Sequence, residues 1–207
     1  MNESIKQHYE RLFKQHGKSH SAVQYSSKES QVKRFEILLE ISDDIQSITD
    51  MGCGLADMLP LVRKKFGHIP YHGYDFVEEF IQNAKKVYKE DINAFFYLCD
   101  INKEIPKTRS DFVVLSGMLN NKIDDNETFT KTVLNAMWQG ANKGIAFNAL
   151  TSYVDYKDEH LHYHDALAIF DYCKRNLSPY VTLKHDYDVK QHSIPFEFTI
   201  FVYKNGF

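Results

Sequence analysis

The stretch Ser47-Ile48-Thr49-Asp50-Met51-Gly52-Cys53-Gly54-Leu55-Ala56-Asp57 constrains this chain more than any other. An apolar run leads into a glycine-rich turn, and the pattern predicts a strand followed directly by a helix. Gly52 and Gly54 admit backbone angles that other residues resist, and they leave no side chain between the backbone and a ligand. Free N–H groups at the start of a following helix would favour an anionic or polar group there. Alone, such a turn marks a nucleotide or cofactor site of unspecified kind.

Three further runs narrow the choice. Ile69 to Asp75 reads as a short second strand ending in an acid. An acid at the tip of a second strand is placed to accept hydrogen bonds from ribose hydroxyls. Ala94 to Ile101 reads as a third strand with Asp100 at its end, and Asp111 to Gly117 as a fourth running into a small-residue turn. This succession resembles the class I S-adenosylmethionine-dependent methyltransferases, well over roughly residues 45 to 150 and by element order beyond. The acid-x-Gly-x-Gly turn of that family is matched by Asp50, Gly52 and Gly54, its ribose acid by Asp75 and its adenine-side acid by Asp100. A nicotinamide dehydrogenase on a related fold would want Gly-x-Gly-x-x-Gly. Here Leu55, Ala56 and Asp57 follow Gly54, so the third glycine is missing.

The resemblance implies an α/β fold: a three-layer sandwich with a seven-stranded, mostly parallel sheet in the order 3-2-1-4-5-7-6. It implies S-adenosyl-L-methionine as cofactor and S-adenosyl-L-homocysteine as product. Phe76, after the ribose acid, is expected against the adenine ring. Ile101 is expected to offer its backbone to that ring, and Ser116 and Gly117 to complete the cofactor site. Helices before the first strand are expected to cover the cofactor, with residues 1–43 as a lid and residues 44–207 as the core of one domain. Arg34 in that lid would pair with the cofactor's carboxylate, a bidentate geometry that guanidinium favours.

Ligands of parallel sheets lie beyond the carboxyl ends of the strands. Asn120, Asn148, Tyr153 and Tyr25 are therefore candidates to bind the methyl acceptor. The segment 149–165 should overhang the site, and it holds Asp155, His160, His162 and His164. Imidazole titrates near neutrality, so His164 or His162, with Asp155, is a candidate base. Histidines at alternate positions without a defined ligand geometry do not specify a metal, and none is expected. The Asn/Asp-Pro-Pro-aromatic motif of many methyltransferases acting on bases or glutamine is absent after the fourth strand.

Composition is ordinary for a soluble globular protein: 43% hydrophobic and 26% charged residues, and a net charge of −3 over 207 residues. No basic run suggests a nucleic-acid backbone as principal partner. Three unpaired-looking cysteines, no signal peptide and no long apolar run fit a cytoplasmic protein, monomeric or homodimeric. The expected function is methylation of oxygen or nitrogen on a small polar metabolite, a sugar or a secondary-metabolite intermediate. A nucleic-acid or protein methyltransferase, or a non-catalytic partner subunit, is the alternative.

Overall fold

The computed structural model describes residues 3–206. The apolar runs become strands β1 (Ile48–Met51), β2 (Tyr71–Asp75), β3 (Ala94–Leu98), β4 (Ser110–Leu115), β5 (Ala141–Leu150), β6 (Tyr180–Lys184) and β7 (Glu197–Tyr203). They form one seven-stranded sheet in the order β3-β2-β1-β4-β5-β7-β6. β7 runs antiparallel to both of its neighbours, and the remaining pairs are parallel. The order reverses at β1, where β2 lies on one side and β4 on the other. Such a reversal opens a crevice beyond the strand ends, and it falls at the glycine turn.

Among the described residues, six α-helices accompany the sheet: α1 (Glu3–His16), α2 (Lys28–Leu38), α3 (Leu59–Phe66), α4 (Glu78–Val87), α5 (Asn126–Gly140) and α6 (Ala166–Asn176). Successive strand residues face opposite ways. Phe112 and Val114 accordingly pack with Phe35, Leu59 and Ile81 of α2, α3 and α4. Val113 and Leu115 pack with Val133, Met137 and Cys173 of α5 and α6. The three expected layers follow. A smaller cluster joins Ala22, Leu55, Val77 and Phe80, with Tyr9 and Phe13 of α1 packed on it. Gly17 ends α1 at φ +60°, its N–H bonding to the Phe13 carbonyl at 2.8 Å. Ser27 caps α2 by accepting from the Ser30 N–H at 3.1 Å.

Four local expectations change. No helix opens directly after the glycine turn: residues 54–58 are turns and α3 starts at Leu59. Ala56 sits at φ +62°, incompatible with a right-handed helix, and Pro60 at the helix start fits the delayed entry. β3 stops at Leu98, so Asp100 lies in the following loop rather than in the strand. Apolar spacing over residues 165–177 predicts an amphipathic helix with Leu167, Ile169, Phe170 and Cys173 on its apolar face, yet Leu167 is 56% exposed. Finally, Phe196 to Val202 alternate apolar and polar as a half-solvated strand would. In the fold β7 is flanked on both edges and covered on both faces, so Glu197 and Thr199 are buried as fully as Phe198 and Ile200.

Candidate active site

A cavity of about 260 Å³ lies beyond the carboxyl ends of β1, β2, β4 and β5. Its floor is the glycine turn, its roof α1, the short 3-10 turn His20–Val23 and the start of α2. Gly52 and Gly54 both have positive φ, +75° and +54°. A Cβ on Gly54 would lie 2.8 Å from Cγ1 of Val23, so this glycine lets the roof close onto the turn.

Two of the acids singled out in the sequence line the cavity. Asp75, 7% exposed at the end of β2, accepts from the Gly54 N–H and the Val77 N–H, each at 2.9 Å. Burial raises its pKa to about 6, against the pull of these N–H groups. Asp50, 3% exposed at the end of β1, accepts from the Tyr71 hydroxyl. Burial, first, and the neighbouring Asp75 and Asp57 raise it to about 7, although the Tyr71 bond pulls the other way. Phe76, Ser116, Gly117, Tyr25 and Asn120 also line the cavity. The Tyr25 hydroxyl donates to Ser116 Oγ at 2.8 Å, and burial pushes its pKa up. Asn120 Oδ1 accepts from the Leu150 N–H at 3.0 Å, which orients its NH₂ away from that strand.

The other predicted site residues are engaged otherwise or stand outside the cavity. Arg34 lines the cavity but is committed: its Nε and Nη2 reach both carboxylate oxygens of Glu197 at 2.6 to 2.9 Å. Its Nη1 donates to the carbonyl and hydroxyl oxygens of Ser30, both at 3.1 Å. The guanidinium is thus neutralised by β7, which leaves it little to offer a cofactor carboxylate. Asp100 and Ile101 are not among the lining residues. The Asp100 carboxylate closes its own loop, accepting from the Asn102 N–H at 3.1 Å and pairing with Lys103 at 3.2 Å. Asn148 lies beneath the cavity and braces the turn after β4, accepting from the Gly117 N–H at 2.9 Å and donating to Ser116 Oγ at 3.3 Å.

The 149–165 segment contributes little to the cavity. It folds back through bridges between Thr151 and His164 and between Asn121 and Leu161. His164 is buried, and its Nε2 sits 3.1 Å from the Leu119 carbonyl oxygen. Burial, above the other influences on it, lowers its pKa to about 4. A base needs a lone pair facing the substrate, and His164 lies outside the cavity, its Nε2 proton donated to the Leu119 carbonyl. His162 packs edge-on against it at 4.4 Å, and burial and Lys122 lower its pKa. Asp155 and Tyr153 are exposed, and neither lines the cavity. Among the described residues no group of three His, Cys, Asp or Glu side chains gathers to hold a metal ion.

Sequence reasoning missed several lining residues. Tyr9 accepts from Asn121 Nδ2 at 2.8 Å and stands edge-on to Phe76 at 6.1 Å. Asp57 holds Lys28 at 2.7 Å and Gln31 at 3.2 Å, tying α2 to the glycine turn. Glu197 is the largest omission, because polar alternation placed it on a solvated face.

A buried acid at the end of β2, a second at the end of β1 and a two-glycine cradle between them suit a ligand carrying ribose hydroxyls and an ammonium group. S-adenosylmethionine carries both, and the residues present fit it. The sequence agrees: residues 42–153 match the family described as "Methyltransferase domain". The chain belongs to the class I S-adenosylmethionine-dependent methyltransferases, and S-adenosylmethionine is its cofactor. It is 32% identical over 165 residues to Rv1506c of Mycobacterium tuberculosis (strain ATCC 25618 / H37Rv), a protein bearing a methyltransferase name. That match covers 76% of this chain and 93% of the relative. Among solved structures, the N-methyltransferase NodS of Bradyrhizobium japonicum WM9, in complex with S-adenosylhomocysteine, superposes with TM-score 0.68 at 15% identity. The superposition covers 95% of this chain and 97% of NodS. The plantazolicin methyltransferase BpumL, bound to a desmethyl plantazolicin analogue and S-adenosylhomocysteine, gives 0.64 at 14% identity, covering 99% and 92%. Magnesium protoporphyrin IX methyltransferase of Synechocystis PCC 6803, with bound S-adenosylmethionine, gives 0.63 at 12%, covering 99% and 93%. At these identities the three structures speak to the fold.

Proposed function

We propose that this methyltransferase acts on oxygen or nitrogen of a small polar metabolite, such as a sugar or a secondary-metabolite intermediate. One observation supports the reading: one roofed cavity is lined both by the buried acids Asp50 and Asp75 and by the polar groups of Tyr25, Ser116 and Asn120. Such an enclosure suits a diffusible acceptor better than a folded macromolecule. Acceptors named for the relatives, a plantazolicin analogue and magnesium protoporphyrin IX, give it support by analogy. No helix among the described residues is long and apolar enough to cross a membrane, and we take the enzyme to work in the cytoplasm.

In this reading Asp75 accepts the ribose hydroxyls and Phe76 flanks the adenine. The turn at Gly52 and Gly54 receives the methionyl arm, with Asp50 as counterion to its ammonium. Bound there, S-adenosylmethionine supplies an electrophilic methyl group on a sulfonium. The protein holds the acceptor in line with it, and orientation of this kind replaces a bimolecular encounter by a local one. Calorimetric titration with S-adenosylhomocysteine tests the assignment. Wild type should bind in the micromolar range and Asp75→Ala at least about tenfold more weakly, as loss of a hydrogen bond to a charged group costs roughly 1.5–3 kcal/mol. Equal affinity in the two proteins would remove Asp75 from the cofactor site.

A further inference from the structure

Among the described residues that line the cavity, no carboxylate or imidazole is left free for an acceptor. The three bases that the sequence offered, Asp155, His162 and His164, lie outside it. Of the carboxylates that do line it, Asp57 is held by Lys28 and Gln31. Glu197 gives both oxygens to Arg34. Asp75 faces the ribose position and accepts from two backbone N–H groups. Asp50 lies under the glycine turn, where it is needed against the cofactor's ammonium.

The charge count points the same way. Once Asp57 is set against Lys28 and Glu197 against Arg34, the lining carboxylates still uncompensated are Asp50 and Asp75, and the lining cation still uncompensated is Lys190. The cofactor carries a sulfonium, an ammonium and a carboxylate, so its net positive charge balances that remainder. No surplus positive charge is left to hold an anionic nucleophile such as a carboxylate or phenolate. A neutral alcohol, in turn, needs a base to attack, and a positioned base contributes about 10²–10⁴-fold. An amine that has released its proton to solvent before binding needs neither in the transfer step, because its lone pair is then nucleophilic.

Tyr25 offers such a nitrogen a partner. Its proton is spent on Ser116 Oγ at 2.8 Å, so its oxygen presents lone pairs rather than a donor. The ring is fixed from below by Arg34, whose guanidinium carbon lies 5.2 Å from the ring centroid, and from the side by Phe35 at 6.1 Å. The hydroxyl stands 3.4 Å from where a Cβ of Gly117 would be, at the turn beyond β4.

We propose that the methyl acceptor is a neutral amine nitrogen, one N–H of which is received by the Tyr25 oxygen, and that no protein base takes part. The inference rests on the methyltransferase reading above. The nitrogen lone pair forms the new C–N bond to the methyl carbon as the S–C bond breaks. The S–C electron pair stays on sulfur, leaving the neutral thioether S-adenosylhomocysteine. The N-methylated ammonium then releases its extra proton to solvent.

The test is to incubate the enzyme with methyl-¹³C S-adenosylmethionine and a metabolite extract of the source cells, and to read the bonding partner of the transferred carbon by NMR. The expected product carries the label on nitrogen. With that acceptor, Tyr25→Phe should lower kcat/KM about tenfold or more with an unchanged Kd for S-adenosylhomocysteine. Asp155→Ala and His162→Ala should stay within twofold of wild type. Label on oxygen, carbon or sulfur would overturn the amine assignment while leaving methyl transfer intact. A wild-type protein that binds neither S-adenosylmethionine nor S-adenosylhomocysteine would overturn the methyltransferase reading instead. A loss of turnover in His162→Ala or Asp155→Ala equal to that in Tyr25→Phe would restore a base and reject the mechanism.

Discussion

At the residue scale, the two acids of the cofactor end are tuned by burial. Asp50 is raised to about 7 and Asp75 to about 6, so both carry part of a proton near neutrality. In the proposed assignment, the cofactor's ammonium favours the ionised Asp50, and its ribose hydroxyls donate to an ionised Asp75. Cofactor binding therefore expels protons, and affinity rises with pH wherever the free protein holds them. The association constant for S-adenosylhomocysteine should climb about tenfold or more per pH unit from pH 5 to 6.5 and flatten above 7.5. Calorimetry across that range, in buffers of different ionisation enthalpy, measures both the slope and the released protons. Asp50→Asn should bind more weakly and show the shallower slope of Asp75 alone. A pH-independent affinity in wild type would mean that Asp50 has no part in binding. The same shift acts on stability with a defined sign. The folded protein holds protons on Asp50 that the unfolded chain has lost above pH 4, so this group's contribution falls as pH rises from about 4 to about 7. Asp50→Asn should therefore gain stability relative to wild type over that window, as read by urea unfolding without cofactor.

Elements explain why some of the site was legible and some was not. The glycine turn, Asp75, Phe76 and the turn at Ser116 and Gly117 follow from runs of apolar residues that end in punctuation. Strand ends and ligand sites coincide in parallel sheets, so local pattern was enough. Arg34 and Glu197 are 163 positions apart, and nothing near either residue announces the other. Polar alternation gave Glu197 to solvent, because the pattern of one strand does not reveal that helices cover both of its faces. The histidines misled for a related reason. A polar segment after a strand overhangs the crevice only if it stays extended, and this one folds back onto the loop after β4. The Arg34–Glu197 pair also fastens α2 to the sheet. Removing one partner leaves a buried charge without compensation, at a cost of about 3–5 kcal/mol. Glu197→Leu should show that loss in urea unfolding, whereas Arg34→Met with Glu197→Leu should recover a large part of it. Equal destabilisation in the single and double variants would mean that packing, not the unpaired charge, sets the cost.

On the scale of the whole molecule, the sheet and its two helical layers form a rigid base, and the roof of the cavity is attached by much less. The β-strands are buried in two large clusters. α1 and the 3-10 turn rest on a small third cluster, through Tyr9, Phe13, Ala22 and Val23. Polar ties to the base are Asn121 to Tyr9, Tyr25 to Ser116 and Lys28 to Asp57, while Gln24 to His8 only joins the turn to α1, at an exposed position. Segments with few buried contacts open locally, at free energies well below that of global unfolding. The ligand in the cavity would touch this roof directly, because Ile5, Tyr9, Val23 and Gln24 line it. Without cofactor, the amides of residues 5–25 should thus exchange with solvent much faster than those of β1, β4 and β5. Saturating S-adenosylhomocysteine should slow the roof by about 100-fold at a concentration 100 times its Kd, the full stabilisation available to a state that alone binds ligand. The exchange of β4 and β5 should slow only as far as global unfolding governs it. Hydrogen exchange read by mass spectrometry separates the two regions. A roof already as protected as the sheet, and indifferent to ligand, would mean that the cofactor enters by another path, past the loop that follows β3 instead of under α1.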